Sequence, residues 1–146
     1  MNGNLLAEAL TLSERGLKIF PCNQDKRPLV SSWRAEATTD QKQLEKWFES
    51  GNCLIAVLTG RENDLFVLDV DPAGESWFTA HEGQLGSSRI HETRRGRHLV
   101  YRFPTSPIIK TTTVGKLAIG VDTRGDGGYV IWWPACGLPF SGSLND

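Results

Sequence analysis

The second half of the chain is a series of short apolar segments separated by glycine-containing turns, and this spacing restricts the fold more than any other feature. Strands are predicted over residues 89–93, 98–103, 117–121 and 129–133, with turns at Gly96 and at residues 125–128. Turns this short join antiparallel neighbours, whereas parallel strands need a long crossover connection. The second half therefore predicts strands paired in an antiparallel sheet.

The first half alternates helical and strand patterns. Apolar residues at helical spacing predict helices over residues 5–15 and 41–48, and Thr39 or Asp40 can cap the second. Strands are predicted over residues 17–20, 54–58 and 65–70, and Pro72 suits the first turn of a third helix. Helices followed by a run of strands predict an α+β fold with a mixed or antiparallel sheet, not a doubly wound parallel one.

Composition excludes several classes of protein. The 146 residues, 39% hydrophobic and 23% charged, are typical of one globular domain. No apolar run approaches the roughly 20 residues that cross a bilayer, and no signal-peptide pattern opens the chain. We therefore expect a cytoplasmic protein with no membrane partner. Cys22, Cys53 and Cys136 are too dispersed for a zinc cluster and odd in number for a disulfide framework.

Charge is balanced overall but uneven along the chain. A net charge of -1 is not typical of a nucleic-acid-binding domain. Between residues 89 and 102, however, Glu92 is outnumbered by basic residues at Arg89, Arg94, Arg95, Arg97 and Arg102. Such a local positive stripe can hold phosphate groups. A solvated surface of strand and turn is an equally open interpretation.

Asp69 and Asp71 end the apolar segment 65–70. Residues two apart in a strand point to the same face, so two carboxylates would lie side by side. Their repulsion near a core is costly, and a bound Mg²⁺ or Mn²⁺ would relieve it, because hard cations prefer carboxylate oxygens. The alternative is that Asp71 caps a helix before Pro72 and Asp69 is an ordinary rim residue.

Further candidates lie in the turns. His98 follows the Gly96 turn beside basic residues and can donate to a phosphate oxygen. Asp122 ends a strand, where it could supply a third carboxylate, and Arg124 follows in a glycine-rich turn. Lys26 could reach a phosphate from its loop. The alternatives are a structural hydrogen bond for His98 and satisfaction of turn amides for Asp122.

Taken in order, these segments resemble the bifunctional primase–polymerase family of the archaeo-eukaryotic primase superfamily, which is common in phages, plasmids and integrated elements. Residues 9–21 are similar to the family's opening, residues 26–28 to its Lys-x-Pro element and residues 54–60 to its strand ending in Thr-Gly. Residues 68–71 resemble the Asp-x-Asp motif, 96–98 the histidine motif and 120–130 the third motif.

This resemblance implies an RNA-recognition-motif-like catalytic sheet with an N-terminal α/β unit packed against it. It implies that residues 1–146 are a primase–polymerase domain, the N-terminal part of a longer DNA replication protein. Asp69, Asp71 and Asp122 would hold two Mg²⁺ or Mn²⁺ ions. His98 would bind the triphosphate, with Lys26 and the arginines neutralising its charge: Arg95, Arg97 and Arg124. The implied partners are a single-stranded DNA template, nucleoside triphosphates and a helicase.

Two rival functions remain open from the sequence. Three carboxylates and a histidine also suit a metal-dependent phosphodiesterase or nuclease. A non-catalytic replication module that binds single-stranded nucleic acid would keep the same fold. The ordered motifs favour the template-dependent nucleotidyl transferase over the nuclease, and the non-catalytic module stays open.

Overall fold

Helices and antiparallel sheets make up the chain. The computed structural model describes residues 4–86, 89–103 and 113–143. The α-helices are α1 (Leu5–Glu14), α2 (Trp33–Glu36), α3 (Gln41–Phe48) and α4 (Glu75–His81). The strands are β1 (Ile19–Cys22), β2 (Leu54–Leu58), β3 (Leu65–Val70), β4 (Arg89–Glu92), β5 (Arg97–Arg102), β6 (Thr113–Ala118), β7 (Val121–Arg124), β8 (Tyr129–Ile131) and β9 (Phe140–Ser141). Within the described ranges the strand pairings are antiparallel, which confirms the α+β prediction. The closer likeness to an RNA-recognition motif stays a prediction.

The smaller sheet has the order β1-β2-β8, so a strand from the second half of the chain completes the N-terminal unit. Helices α1 and α3 pack on it through one hydrophobic cluster that includes Leu12, Phe48 and Val57. Asp40 begins α3 as its N-cap, because its side chain accepts a hydrogen bond from the backbone N–H of Gln43 at 3.0 Å. The predicted cap is confirmed.

The larger sheet has the order β6-β7-β3-β5-β4-β9, which places β3 between β5 and β7. One face of this sheet, with Leu68 and Val70, packs against Phe78 of α4. Leu65 and Val67 belong instead to the cluster shared with the smaller sheet. Side chains alternate along a strand, so Asp69 lies on the same face of the sheet as Leu65 and Val67, near the end of β3.

The predicted strand over residues 117–121 is wrong in its bounds. The chain turns at residues 119–120 between β6 and β7, and Gly120 has a φ of 75°. Glycine adopts that left-handed conformation at little cost, so it ends one strand and starts the next. Asp122 therefore lies inside β7 and not beyond the end of a strand.

A short 3₁₀ helix, Pro72–Gly74, precedes α4, so the third helix predicted at Pro72 forms with an irregular first turn. In the part of the chain that the structure describes, no helix is long and apolar enough to cross a membrane.

Candidate active site

Three of the predicted site residues form a row across adjacent strands. Asp69 on β3 is paired with His98 on β5 and, on its other side, with Asp122 on β7. Directly opposed residues in an antiparallel sheet have Cβ atoms about 4.5–5.5 Å apart. The sheet register thus brings together side chains that are distant in sequence.

Asp69 lies between two basic groups. Nε2 of His98 is 3.4 Å from its Oδ1, and Nη2 of Arg124 is 3.5 Å from its Oδ2. Burial raises the pKa of Asp69, but the hydrogen bond and charge of His98, with the charges of Arg124 and Lys26, together hold the pKa below its ordinary value. Asp69 is therefore an ionised carboxylate at neutral pH.

Arg124 marks a position where the two carboxylates converge. Its Nη2 lies 3.5 Å from an oxygen of Asp69 and 3.5 Å from an oxygen of Asp122. Both distances are at the outer limit of a hydrogen bond, so the contact is mainly electrostatic. Two carboxylates that share one cationic nitrogen form a donor set that also suits a hard divalent cation. Within residues 4–86, 89–103 and 113–143, however, no three acidic, histidine or cysteine side chains are already arranged around a metal position.

Asp71 follows the last residue of β3 and caps the short helix after it. Strand β3 ends at Val70, and Asp71 is the N-cap of the 3₁₀ helix, where its Oδ1 accepts from the N–H of Ala73 at 3.0 Å. The predicted cap role of Asp71 is confirmed. Its backbone is still extended, with a φ of -91° and a ψ of 177°, and Asp71 and Asp69 line the same pocket. Their joint role as metal ligands stays a prediction.

That pocket has a volume of about 610 Å³, within the range of small-molecule sites. Its walls combine the acidic side chains of Asp69 and Asp71 with His98, basic groups and aromatic rings. The basic and aromatic lining residues are Lys26, Arg94, Arg95, Arg124, Trp33, Tyr129 and Trp133. Asp122 is not among the lining residues and contacts the site through Arg124. Cations beside aromatic rings suit a ligand with phosphate groups and a planar base.

Lys26 is held at the pocket by a tight loop. Its backbone is left-handed, with a φ of 68°, a conformation that is costly outside glycine. Oδ1 of Asn23 accepts from the N–H groups of Asp25 and Arg27 at 2.9 and 3.0 Å, and the hydroxyl of Tyr129 donates to the carbonyl of Lys26 at 2.9 Å. These bonds stabilise the strained turn and keep the ammonium stem at the site.

The β4–β5 hairpin carries Arg95 to the pocket. The N–H of Thr93 donates to the carbonyl of Gly96 at 3.0 Å and closes the turn. A Cβ on Gly96 would lie only 2.0 Å from the carbonyl oxygen of Val70. Glycine at this position therefore lets the start of β5 approach the end of β3, which keeps His98 opposite Asp69.

Arg94 connects this hairpin to the Lys26 loop. Its Nη1 and Nη2 donate to the backbone and side-chain oxygens of Gln24 at 2.7 and 2.8 Å, and its guanidinium lies 4.8 Å from the Trp133 ring. The prediction placed no specific role on Arg94. A sequence cannot show that two loops 70 residues apart meet, so only the basic run pointed to Arg94.

Arg97 does not reach the site. It makes two hydrogen bonds to Glu75, at 3.0 and 3.1 Å, and lies 4.5 Å above the ring of Phe78. Strand alternation explains this position, since Arg97 precedes His98 and must face the opposite side of β5. The structure therefore brings Lys26, Arg95 and Arg124 to the pocket and places Arg97 against α4.

His91 is a neighbour of the site to which the sequence assigned no functional role. It lies on β4 directly opposite His98 and is fully buried. A signal was available, because the turn at residues 93–96 is equidistant from the two histidines and predicts that they pair across the hairpin.

Residues 9–138 match the family model described as bifunctional DNA primase/polymerase, N-terminal. A search of curated proteins gives no match to this chain.

Proposed function

Because the chain belongs to the bifunctional DNA primase/polymerase family, we propose that it adds nucleotides to a primer or DNA strand, directed by a single-stranded DNA template. The observation that carries this proposal is the row of Asp122, Asp69 and His98, with one cationic nitrogen of Arg124 between the two carboxylates. Nucleotidyl transfer needs such a place, where positive charge meets carboxylate oxygens beside a phosphate-binding wall.

Asp69 and Asp122, with Asp71 on the pocket wall, are the residues that we expect to hold two Mg²⁺ or Mn²⁺ ions. Such ions would favour attack by a 3′-hydroxyl and offset the charge of the departing pyrophosphate. For this to happen, the guanidinium of Arg124 must leave the position between the carboxylates. The two contacts to be given up, both 3.5 Å long, are weak ones.

The triphosphate would lie against Lys26, Arg95 and His98. Once displaced, Arg124 remains close enough to neutralise a phosphate as well. Lys26, Arg94, Arg95 and Arg124 give the pocket four basic side chains, against the three carboxylates of the site. Divalent cations held by those carboxylates would make the local charge more positive, so a polyanion should bind more tightly in their presence.

The base would lie on the aromatic side of the pocket. Trp33 stacks on Phe20 at 5.4 Å and meets the edge of Tyr129 at 4.9 Å. Such rigid rings offer a stacking surface that tolerates any base. Base identity would then be set by the template and not by the pocket.

The decisive experiment measures incorporation of labelled nucleotides on a primed single-stranded template with Mn²⁺. We expect Asp69→Asn and Asp122→Asn each to lower incorporation at least about 100-fold, as when a group that stabilises transition-state charge is removed. Asp64→Asn is the matched control. It lies just before the other end of β3, is 60% exposed, and has a φ of 58° that asparagine tolerates well. Full activity in the double variant Asp69→Asn/Asp122→Asn would refute the proposal.

The role of His98 is tested by nucleotide binding at equilibrium. His98→Ala should weaken binding of a nucleoside triphosphate more than binding of the single-stranded template, because its Nε2 faces the carboxylate row and not the outer surface. His81→Ala is the control, since His81 bonds to Trp77 on α4, away from the pocket lining. Unchanged nucleotide affinity in His98→Ala would refute this assignment.

One observation favours a second function. Arg124 already neutralises Asp69 and Asp122, and the described residues hold no ready metal cluster. A non-catalytic module that binds single-stranded DNA would need neither metal nor displaced arginine. Template binding without incorporation in Mg²⁺ or Mn²⁺ would favour that function, and loss of the template strand without incorporation would favour a nuclease.

A further inference from the structure

Two histidines face each other in the interior beside the candidate active site. His91 on β4 and His98 on β5 are paired in the sheet, with relative exposures of 0% and 6%. Side chains at directly opposed positions lie on the same face of the sheet and within contact range. The two imidazoles are therefore neighbours in a place that water reaches poorly.

Arg89 determines which nitrogen of His91 carries the proton. Nε of Arg89 donates to Nε2 of His91 at 2.7 Å. Arginine has only donors, so Nε2 must be the acceptor and the proton of the neutral ring is on Nδ1. Arg89 is itself held over the ring of Phe140 at 3.9 Å, and the edge of Trp132 meets His91 at 4.5 Å. Burial above all, together with the charges of Arg89 and His98, lowers the pKa of His91 to about 3, which keeps the ring neutral.

Asp69 has the corresponding effect on His98. An ionised carboxylate is only an acceptor, so Asp69 favours a proton on Nε2 of His98, whose distance to Oδ1 of Asp69 is 3.4 Å. A contact of that length is weak and does not hold the tautomer by itself. In the neutral ring, Nδ1 of His98 is then an acceptor. Within the described residues, Nδ1 of His91 and Nδ1 of His98 are both buried without a hydrogen-bond partner. One is a donor, the other is an acceptor, and they belong to opposed side chains.

We propose that His91 is a positioning residue for His98: its Nδ1–H serves Nδ1 of His98 through one bridging water and completes the series Arg89, His91, His98, Asp69. Buried polar groups are almost always paired, and a second group that orients a functional histidine fixes its tautomer. His98 would thus present an Nε2–H to the pocket in every molecule. The consequence for catalysis rests on the proposed function, but the tautomer does not.

The test is nitrogen NMR of the protein labelled with ¹⁵N-histidine. The chain has three histidines, so each signal can be assigned. In the unaltered protein, at a pH where both rings are neutral, we expect His91 as the Nδ1–H tautomer and His98 as the Nε2–H tautomer. The Asn side chain of His91→Asn can place an N–H near the position of Nδ1, whereas the longer Gln side chain of His91→Gln places its amide near the position of Nε2, with the oxygen toward Arg89. His98 should keep its tautomer in His91→Asn and become a mixture in His91→Gln.

Arg89→Leu is the variant to use if a substitution at the buried position prevents folding. It leaves both histidines in place and removes the donor to Nε2 of His91, together with the guanidinium's contacts with the Phe140 and Trp132 rings, so both rings should show mixed tautomers. A single Nε2–H tautomer of His98 in His91→Gln or in Arg89→Leu would overturn the proposal. So would an Nε2–H tautomer of His91 in the unaltered protein.

Nucleotide affinity separates this inference from the proposed function. His91→Gln should weaken triphosphate binding about tenfold, as loss of an orienting group does at other sites, and His91→Asn should restore most of it. If the tautomer of His98 changes as expected but His98→Ala binds nucleotide normally, the positioning role stands and the nucleotide-binding role of His98 fails.

Discussion

Gly96→Ala is expected to separate the two strands that carry the site. The added Cβ would lie 2.0 Å from the carbonyl oxygen of Val70 and 3.0 Å from Cα of Asp71, and both atoms belong to the backbone of the neighbouring segment. Real Cβ contacts are essentially never below 3.0 Å, so the start of β5 must move away by about 1 Å. The strand pair that moves apart would be Val70 and Arg97, which is next to the pair of Asp69 and His98.

The magnitude follows from two effects. Overpacking an interior position costs about 1–3 kcal/mol, and a weakened ladder hydrogen bond costs about 1 kcal/mol more. We expect a loss of about 2–4 kcal/mol in the free energy of unfolding. With a urea dependence of about 2 kcal/mol per M, the midpoint should fall by about 1–2 M. Triphosphate affinity of the folded variant should also fall, because His98 moves relative to Asp69.

Gly83→Ala is the matched control for this change. An added Cβ there meets no atom within 4 Å, and its φ is not in the left-handed range. Its midpoint should stay the same or rise slightly, as exposed glycine-to-alanine changes do. The assay is urea unfolding followed by tryptophan fluorescence, with nucleotide binding measured on the same samples. Equal midpoints for the two variants would refute the close-approach explanation of Gly96.

Three further outcomes are expected. Arg97→Gln should lower the free energy of unfolding by about 1 kcal/mol, because the ion pair of Arg97 with Glu75 is about one-third exposed. Its triphosphate affinity should stay within about twofold of the unaltered protein, and a tenfold loss would mean that Arg97 contacts the nucleotide. The pKa of His91 is about 3 in the folded state against 6.5 when unfolded. The contribution of the neutral ring to stability is therefore complete above pH 6.5 and declines by up to about 1.4 kcal/mol per pH unit as the pH falls toward 3. Between pH 7.5 and pH 4 the urea midpoint should fall less steeply in His91→Gln than in the unaltered protein. Gly120 and Gly137 both have a positive φ, of 75° and 89°. A Cβ added at Gly120 would lie 2.4 Å from Oδ1 of Asp71, whereas one added at Gly137 would meet nothing within 4 Å. Thermal unfolding should therefore show a larger loss of stability for Gly120→Ala than for Gly137→Ala, and equal losses would mean that the backbone conformation alone matters.

Most secondary structure was predictable because its causes are local. The spacing of apolar residues predicted α1, α3 and the central strands, and Asp40 at the start of α3 acts as the predicted cap. The main error, the strand over residues 117–121, came from reading Gly120 as part of a strand. A positive φ at one residue leaves no trace in hydrophobic periodicity, so the β6–β7 turn was missed.

What the sequence alone determined is which chemical groups are available: an apolar strand that leads to Asp69, a histidine after a glycine turn, and a basic hairpin. Only the tertiary structure decided which of these groups meet. Pairing of β3 with both β5 and β7 placed His98 and Asp122 beside Asp69 and turned Arg97 to the opposite face. The fold also brought Arg94 of the β4–β5 turn against Gln24. The contacts along β3 depend on the register between distant segments, and register is set by the burial of a whole sheet face, not by any one residue or motif.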